Sequence, residues 1–238
     1  MKGDIKRNII ASLPQDKTFT ANDVLDIIGE MTESLPPLAT VQWCLYDLRE
    51  KNIIERVSRG IYRLSNKRQF RFVTNESISQ INELIKQKFS FVRYCIWSGN
   101  SLHSLMHHIA INNSIYVEVE RDAVESVFKV LKEIYSDVFI NPNDTLMERY
   151  IDLSQNSIIV KTLVSEAPLE KTDDIPIPSF EKVLVDICFD TDFQYLAGSE
   201  LHNVIDNSRQ YSIDNSRLLR YASRKNKREQ MRKLITNY

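Results

Sequence analysis

Two clusters carry residue types that could do chemistry. Ser98-Gly99-Asn100-Ser101 is followed by Val117-Glu118-Val119-Glu120. One arrangement used for nucleotidyl transfer is a Gly-Ser turn and then two carboxylates two apart on a strand. That spacing puts both carboxylates on one face, where they can hold Mg²⁺ against a nucleotide's phosphates. Here Gly-Asn-Ser replaces the usual turn, and glutamates stand where aspartate leads, so Glu118 and Glu120 read better as the solvent face of an edge strand. His103, His107 and His108 form the second cluster. His103 and His107 are four apart and on a helix could share a metal. No Cys is placed to join them and the His-Glu-x-x-His pattern is absent, so an exposed or half-buried helix face is the simpler reading. No serine has the Gly-x-Ser-x-Gly context of an activated nucleophile. The five glycines, Gly3, Gly29, Gly60, Gly99 and Gly198, are dispersed, which excludes a Walker A loop and a dinucleotide fingerprint. The expectation is therefore no catalytic residue, no metal and no cofactor.

The cations point to a different function. Residues 49–71 hold eight Lys/Arg and two Asp/Glu. Arg56, Arg59 and Arg63 fall on Ile53–Val57 and Ile61–Leu64, which read as two short strands about Ser58-Arg59-Gly60. Gly60 supplies the positive φ of a tight hairpin. Lys67, Arg68 and Arg71 follow at its exit.

The elements that must carry this hairpin are three short helices. Ile5, Ile9, Ile10 and Leu13 recur at helical spacing, and Pro14 closes that helix. Thr20 is an N-cap with Asp23 three residues on, a capping-box arrangement. Val24, Leu25 and Ile28 line the second helix, and Gly29 is expected to end it. A third helix runs from Leu38 or Ala39 to Lys51, with Val41, Cys44, Leu45 and Leu48 on one face. Its opposite face carries Ala39, Trp43, Tyr46 and Glu50, with Gln42 at the margin. This order is that of a winged helix-turn-helix, whose third helix enters the major groove of double-stranded DNA. Gln42 would read a base edge and Thr40 a phosphate or base. Trp43 and Tyr46 would face the groove, and Arg56, Arg59, Arg63, Lys67 and Arg68 would lie along phosphates. The same unit can serve as a protein-interaction module, since fold does not fix function.

The 238 residues suit two modest domains, here placed at 1–72 and 73–238. Charge supports the division. Residues 1–72 hold twelve Lys/Arg against nine Asp/Glu, residues 73–216 eleven against twenty-two, and residues 217–238 eight against one. Such asymmetry implies parts with different partners. No apolar run reaches the length of a membrane span and the first residues show no signal-peptide pattern. Cys44, Cys95 and Cys188 are odd in number and far apart, which fits a reducing, cytoplasmic home.

Beyond a helix with Ile78, Ile81, Leu84 and Ile85, strands and helices alternate. Phe91–Trp97, Ser114–Glu120 and Ser157–Val164 read as strands; Ser101–Ile109 and Asp122–Tyr135 read as helices. From Ser179 the pattern is mostly helical, ending in Leu218–Ile235. The expected fold class is α+β: an N-terminal winged helix-turn-helix, then an α/β domain with a helical C-terminal tail. The basic tail reads either as a second charged surface or, preferably, as a helix whose apolar side packs on the acidic middle.

Ser165–Leu169, Pro178–Asp186, Leu218–Arg224 and the Arg59-Gly60-Ile61-Tyr62-Arg63-Leu64 hairpin resemble signature stretches of AbiEi-type antitoxins. These are bacterial regulators of type IV toxin–antitoxin and abortive-infection systems. The resemblance runs in order along nearly the whole chain. It implies a winged helix that binds inverted repeats in its own promoter and represses its operon. It also implies a C-terminal domain that counteracts a nucleotidyltransferase-like toxin, with no stable antitoxin–toxin complex in the usual scheme. Arg59 is the best match to a functional basic position. Two alternatives stay open: a regulator with a ligand- or protein-sensing domain, and a nucleotidyltransferase or nuclease with a DNA-targeting module.

Overall fold

The computed structural model describes residues 3–15, 17–32, 35–50, 53–107 and 111–236. The chain is α+β and divides into two compact units. Unit 1 comprises residues 1–69 and returns for 210–216; unit 2 comprises 70–209 and 217–238. The sequence reading put the boundary at 72 and assigned all later residues to the second domain.

Unit 1 contains α1 (Gly3–Ser12), β1 (Phe19–Thr20), α2 (Ala21–Met31), α3 (Leu38–Glu50), β2 (Ile54–Ser58) and β3 (Ile61–Leu64). The apolar spacing predicts these helices, and their inward faces meet. Ile9, Leu13, Phe19, Val24, Ile28, Val41, Cys44, Leu45, Leu48 and Ile54 form one buried cluster. Burial of each large side chain is worth about 1.5–3 kcal/mol, enough together to order a small unit. The Thr20 cap forms as expected. Its side chain accepts from the Asp23 N–H, and its own N–H donates to the Asp23 carboxylate at 2.6 Å. The Thr20 N–H and, at 2.9 Å, the Thr20 hydroxyl both donate to the Asp23 carboxylate and hold it below its ordinary value.

Gly29 does not end α2, which continues to Met31. A Cβ at Gly29 would stand 2.7 Å from the tip of the Leu35 side chain, which is 63% exposed and can swing aside, so the contact does not by itself require glycine. Two-residue β1 pairs antiparallel with β3, and β3 with β2, giving the order β1-β3-β2. Only Arg59 and Gly60 separate the paired residues Ser58 and Ile61, and Gly60 has φ +78°. Arg68 bridges to Tyr211, which fastens the returning segment to this unit.

Unit 2 runs through α4 (Glu76–Lys88), β4 (Tyr94–Ser98), β5 (Ile115–Val119), α5 (Val124–Ile134), β6 (Val138–Ile140) and α6 (Asp144–Tyr150). It continues with β7 (Ile158–Thr162), β8 (Leu169–Thr172), β9 (Ile175–Pro178), α7 (Phe180–Phe189), α8 (Ser199–Ser208), α9 (Asn215–Arg224) and α10 (Arg228–Thr236). The main sheet has the order β4-β5-β7-β6, antiparallel at its first pair and parallel at the others. The spacing predicts Val124, Val127, Phe128 and Leu131 inward on the amphipathic α5; Val124, Val127 and Leu131 are buried and Phe128 is half-buried. The expected strand from Phe91 begins only at Tyr94, and Phe91 is fully exposed. Nothing in the sequence singled out β6, α6 or the β8–β9 hairpin.

Candidate functional site

In unit 1 the cations and the exposed face of α3 are the chemically notable features. Val41, Cys44, Leu45 and Leu48 are buried, which turns Ala39, Gln42, Trp43 and Tyr46 outward. Trp43 is 58% and Tyr46 52% exposed, far more than packing alone leaves to such large rings. Thr40 is half-buried in the first turn, its N–H donating to the Pro37 carbonyl at 2.8 Å. The backbone of Glu50 ends α3, whereas Lys51 lies outside the described residues.

The hairpin presents Arg56, Arg59 and Arg63 to solvent, and Lys67 and Arg68 are exposed after it. Arg63 is ion-paired with Glu55, its cross-strand neighbour, and Arg56 Nε donates to the Ser58 carbonyl at 3.1 Å. Exposed pairs of this kind are weak, so the guanidinium of Arg63 is available to exchange for a phosphate. Arg59 sits at the turn itself, beside a glycine that lets the chain reverse in two residues.

The proposed catalytic cluster of unit 2 has a different geometry from its sequence reading. Strand β5 lies between β4 and β7 and is not an edge. Glu118 is only 6% exposed, and Glu120 lies beyond the end of the strand, exposed, accepting from the Arg93 N–H at 3.3 Å. The two carboxylates do not form one solvent face. Glu118 instead accepts from Lys182 Nζ at 2.6 Å and from Trp97 Nε1 at 3.2 Å.

Lys182, on α7, is wholly buried and also donates to Asp186, one turn on, at 2.7 Å. Asp186 accepts in addition from the Tyr221 hydroxyl at 2.9 Å and from Lys225 Nζ at 2.7 Å, both from the C-terminal tail. Lys225 pairs with Asp190, and Lys161 bridges Asp190 and Asp192. Burial pulls the Lys182 ammonium down, but the Asp186 and Glu118 carboxylates outweigh it and hold it well above the lysine range. Burial pushes Asp186 up, yet Lys182 and Lys225 bring it down to about 2. The network is thus a chain of charges compensated within the fold.

Sequence reasoning missed it, although a signal was present. Lys182 and Asp186 are a charged i,i+4 pair flanking Val183-Leu184-Val185 and followed by Ile187-Cys188-Phe189, where a solvent-facing helix would show a polar stripe. The tail packs as its preferred reading expected: Leu218, Tyr221 and Ala222 are buried, and Arg217 reaches Glu170 at 2.6 Å and Glu181 at 3.4 Å.

Gly99 also has a structural reason. A Cβ there would stand 2.4 Å from Asn112 Cγ and 2.7 Å from its carbonyl oxygen. Asn112 is held by donating to the Tyr116 and Tyr195 hydroxyls at 3.1 and 2.8 Å. The histidine cluster does not assemble on an α-helix. Residues Gly99–Leu105 form a 3-10 helix that stops before His107, and His108 lies outside the described residues. His103 is half-buried, while the exposed His107 donates its backbone N–H to Glu200 at 3.3 Å. Among the described residues no group of three or more His, Cys, Asp or Glu is placed to hold a metal, and no helix is long and apolar enough to cross a membrane.

A family of unknown function, DUF6577, matches residues 40–238. The chain belongs to the DUF6577 family. No curated protein matches the chain. The DUF6577 match begins in the first turn of α3, so it takes in the exposed helix face, the basic hairpin and all of unit 2.

Proposed function

We propose that this DUF6577 protein is a cytoplasmic DNA-binding regulator whose unit 1 acts as a winged helix-turn-helix. The observation that carries the proposal is the exposed Arg56-Arg59-Arg63 hairpin in the same compact unit as a helix that buries one face and presents Gln42, Trp43 and Tyr46 on the other. In this reading α3 enters the major groove of double-stranded DNA, and the hairpin with Lys67 and Arg68 follows phosphates. Thr40, in the first turn of α3, contacts a phosphate or a base edge. The AbiEi-type resemblance extends the proposal: the chain represses its own operon at inverted repeats and counteracts a nucleotidyltransferase-like toxin through unit 2.

The buried network supports a non-enzymatic role for that unit. Glu118, the one of the two carboxylates that lies on β5, is already neutralised by Lys182, so Mg²⁺ binding there would have to displace a buried ammonium.

The test is a salt titration of binding to the protein's own upstream region. Affinity is expected to fall by about one log-slope unit per phosphate contact, and Arg59→Ala to weaken binding on all sequences alike with a slope lower by about one. Salt-independent binding, or none, overturns the reading. Growth rescue on co-expression with the neighbouring reading frame tests the antitoxin extension separately.

A further inference from the structure

The reading face of α3 has an unusual composition for a helix in the major groove. No Lys or Arg occurs from Thr18 to Leu48, so none stands in α3 before Arg49. Arg49 is half-buried near the C-terminal end, its guanidinium carbon 5.5 Å from the Tyr46 ring centroid. The exposed positions are Leu38, Ala39, Gln42, Trp43 and Tyr46, and Asp47 beside them is half-buried. Apart from Arg49, the exposed cations among the described residues 53–69 lie on the hairpin and its exit, where they suit phosphates.

The chemistry of base edges gives this composition a meaning. Guanine presents two acceptors in the major groove, O6 and N7, and its usual partner is an Arg or Lys fork. Helix α3 has no such group on its exposed face. Adenine presents an N6 donor beside an N7 acceptor, which a glutamine amide matches with its own carbonyl and NH₂. Thymine presents a 5-methyl group, for which the matching surface is apolar. Trp43 and Tyr46 supply that surface, one turn apart on the same face as Gln42.

Resting on the DNA-binding reading above, we infer that α3 recognises A·T base pairs, with Gln42 paired to adenine and Trp43 packed on the thymine methyl of the same or the adjacent step. The specificity of the site then comes from methyl burial and one amide, while its affinity comes from the hairpin arginines. Trp43 and Gln42 are the specificity-determining residues, and Arg59 is indifferent to sequence.

The experiment uses the full chain and a randomised duplex library at low salt. Selected sites are expected to share short A·T steps. In the best site, each thymine is replaced in turn by deoxyuridine, which removes only the methyl group. One or two replacements are expected to weaken binding about fourfold each, the loss for one methyl-sized group leaving an apolar contact. Trp43→Ala is expected to abolish the thymine–uracil difference, and Gln42→Ala to relax the adenine preference. Arg59→Ala is expected to weaken both duplexes equally and keep their ratio.

Indifference to every thymine methyl in the unaltered protein, or a G·C core in the selected sites, overturns the inference while the salt-dependent binding stands. Unchanged DNA binding in Trp43→Ala also overturns it. Failure to bind any duplex overturns the parent reading instead.

Discussion

Lys182 shows how one residue's chemistry depends on its surroundings. Its ammonium is wholly buried between Glu118 and Asp186. Truncation would leave two carboxylates buried without their cation, the costly way to break such a pair. Lys182→Ala is expected to destabilise unit 2 by about 3–5 kcal/mol, read as a shift of the urea midpoint. Glu120→Gln, at an exposed position, is expected to stay within about 0.5 kcal/mol. If both variants unfold alike, the network has been misplaced. The contrast also bears on function, because loss of activity in a Glu118 variant would report unfolding before it reported chemistry.

The same residues set the pH response. Asp186 falls from the ordinary value of 3.8 to about 2 in the fold. Its stabilising contribution is therefore complete above about pH 4 and is lost as pH falls from there toward 2. Lys182 is raised above 10.5, so its contribution is present below pH 10.5 and is lost only at more alkaline values. The contributions of Asp186 and Lys182 are expected to be flat between these limits. Asp186→Asn should remove the acid step between pH 4 and 2 from the urea midpoints, and an unchanged acid slope would show that other carboxylates govern it.

At the scale of elements, Gly99 joins β4 to the following 3-10 helix under the side chain of Asn112. Gly99→Ala places a methyl against both that side chain and a backbone oxygen. Overpacking of this kind costs about 1–3 kcal/mol. Asn112→Ala in the same chain is expected to return part of the loss and no more, because the backbone oxygen cannot move away as a side chain can. Additivity of the two changes in a double-mutant cycle would show that they do not touch. The turn that resembles a phosphate-handling loop in sequence is, in these terms, a packing contact.

For the whole molecule, the division into units bears on how the chain can be cut. Phe70 and Phe72 belong to unit 2, where Phe70 stacks on Phe180 with ring centroids 4.1 Å apart and Phe72 lies edge-on to Phe70 and Trp97. A fragment starting at residue 77 lacks both rings. Residues 70–238 are expected to be more stable than residues 77–238 by about 1.5–3 kcal/mol for the buried Phe72, with a smaller contribution from the half-buried Phe70. A fragment ending at residue 75 likewise loses Tyr211, which bridges to Arg68. It is expected to melt below a fragment to which 210–216 is restored by a linker. Equal melting temperatures within each pair would refute the assignment of these segments.

Much of unit 1 was legible because its information is local. The spacing of Ile9, Leu13, Val24, Ile28, Val41 and Leu45, the Thr20–Asp23 cap and the Arg59-Gly60 turn are fixed by contacts within a few residues, and periodicity reports those. The short β1 strand was not legible, since two residues carry no period and pair only because β3 lies beside them. The α5 helix and the cores of β5 and β7 were legible for the same reason as unit 1. What the sequence determined by itself is thus the order of elements, the inward faces of the amphipathic helices and the uneven distribution of charge.

Tertiary structure decided which charges meet. Glu118 and Lys182 are 64 residues apart, and Asp186 and Lys225 are 39 apart. A Glu two residues from another Glu looks the same in sequence whether its strand is at the edge of a sheet or inside it. Only the placement of β5 between β4 and β7, with α7 laid so that Lys182 reaches Glu118, turns a candidate metal ligand into a buried ion pair. The reason is physical: a carboxylate's role is set by the dielectric and the partner around it, and both are supplied by segments distant in the chain.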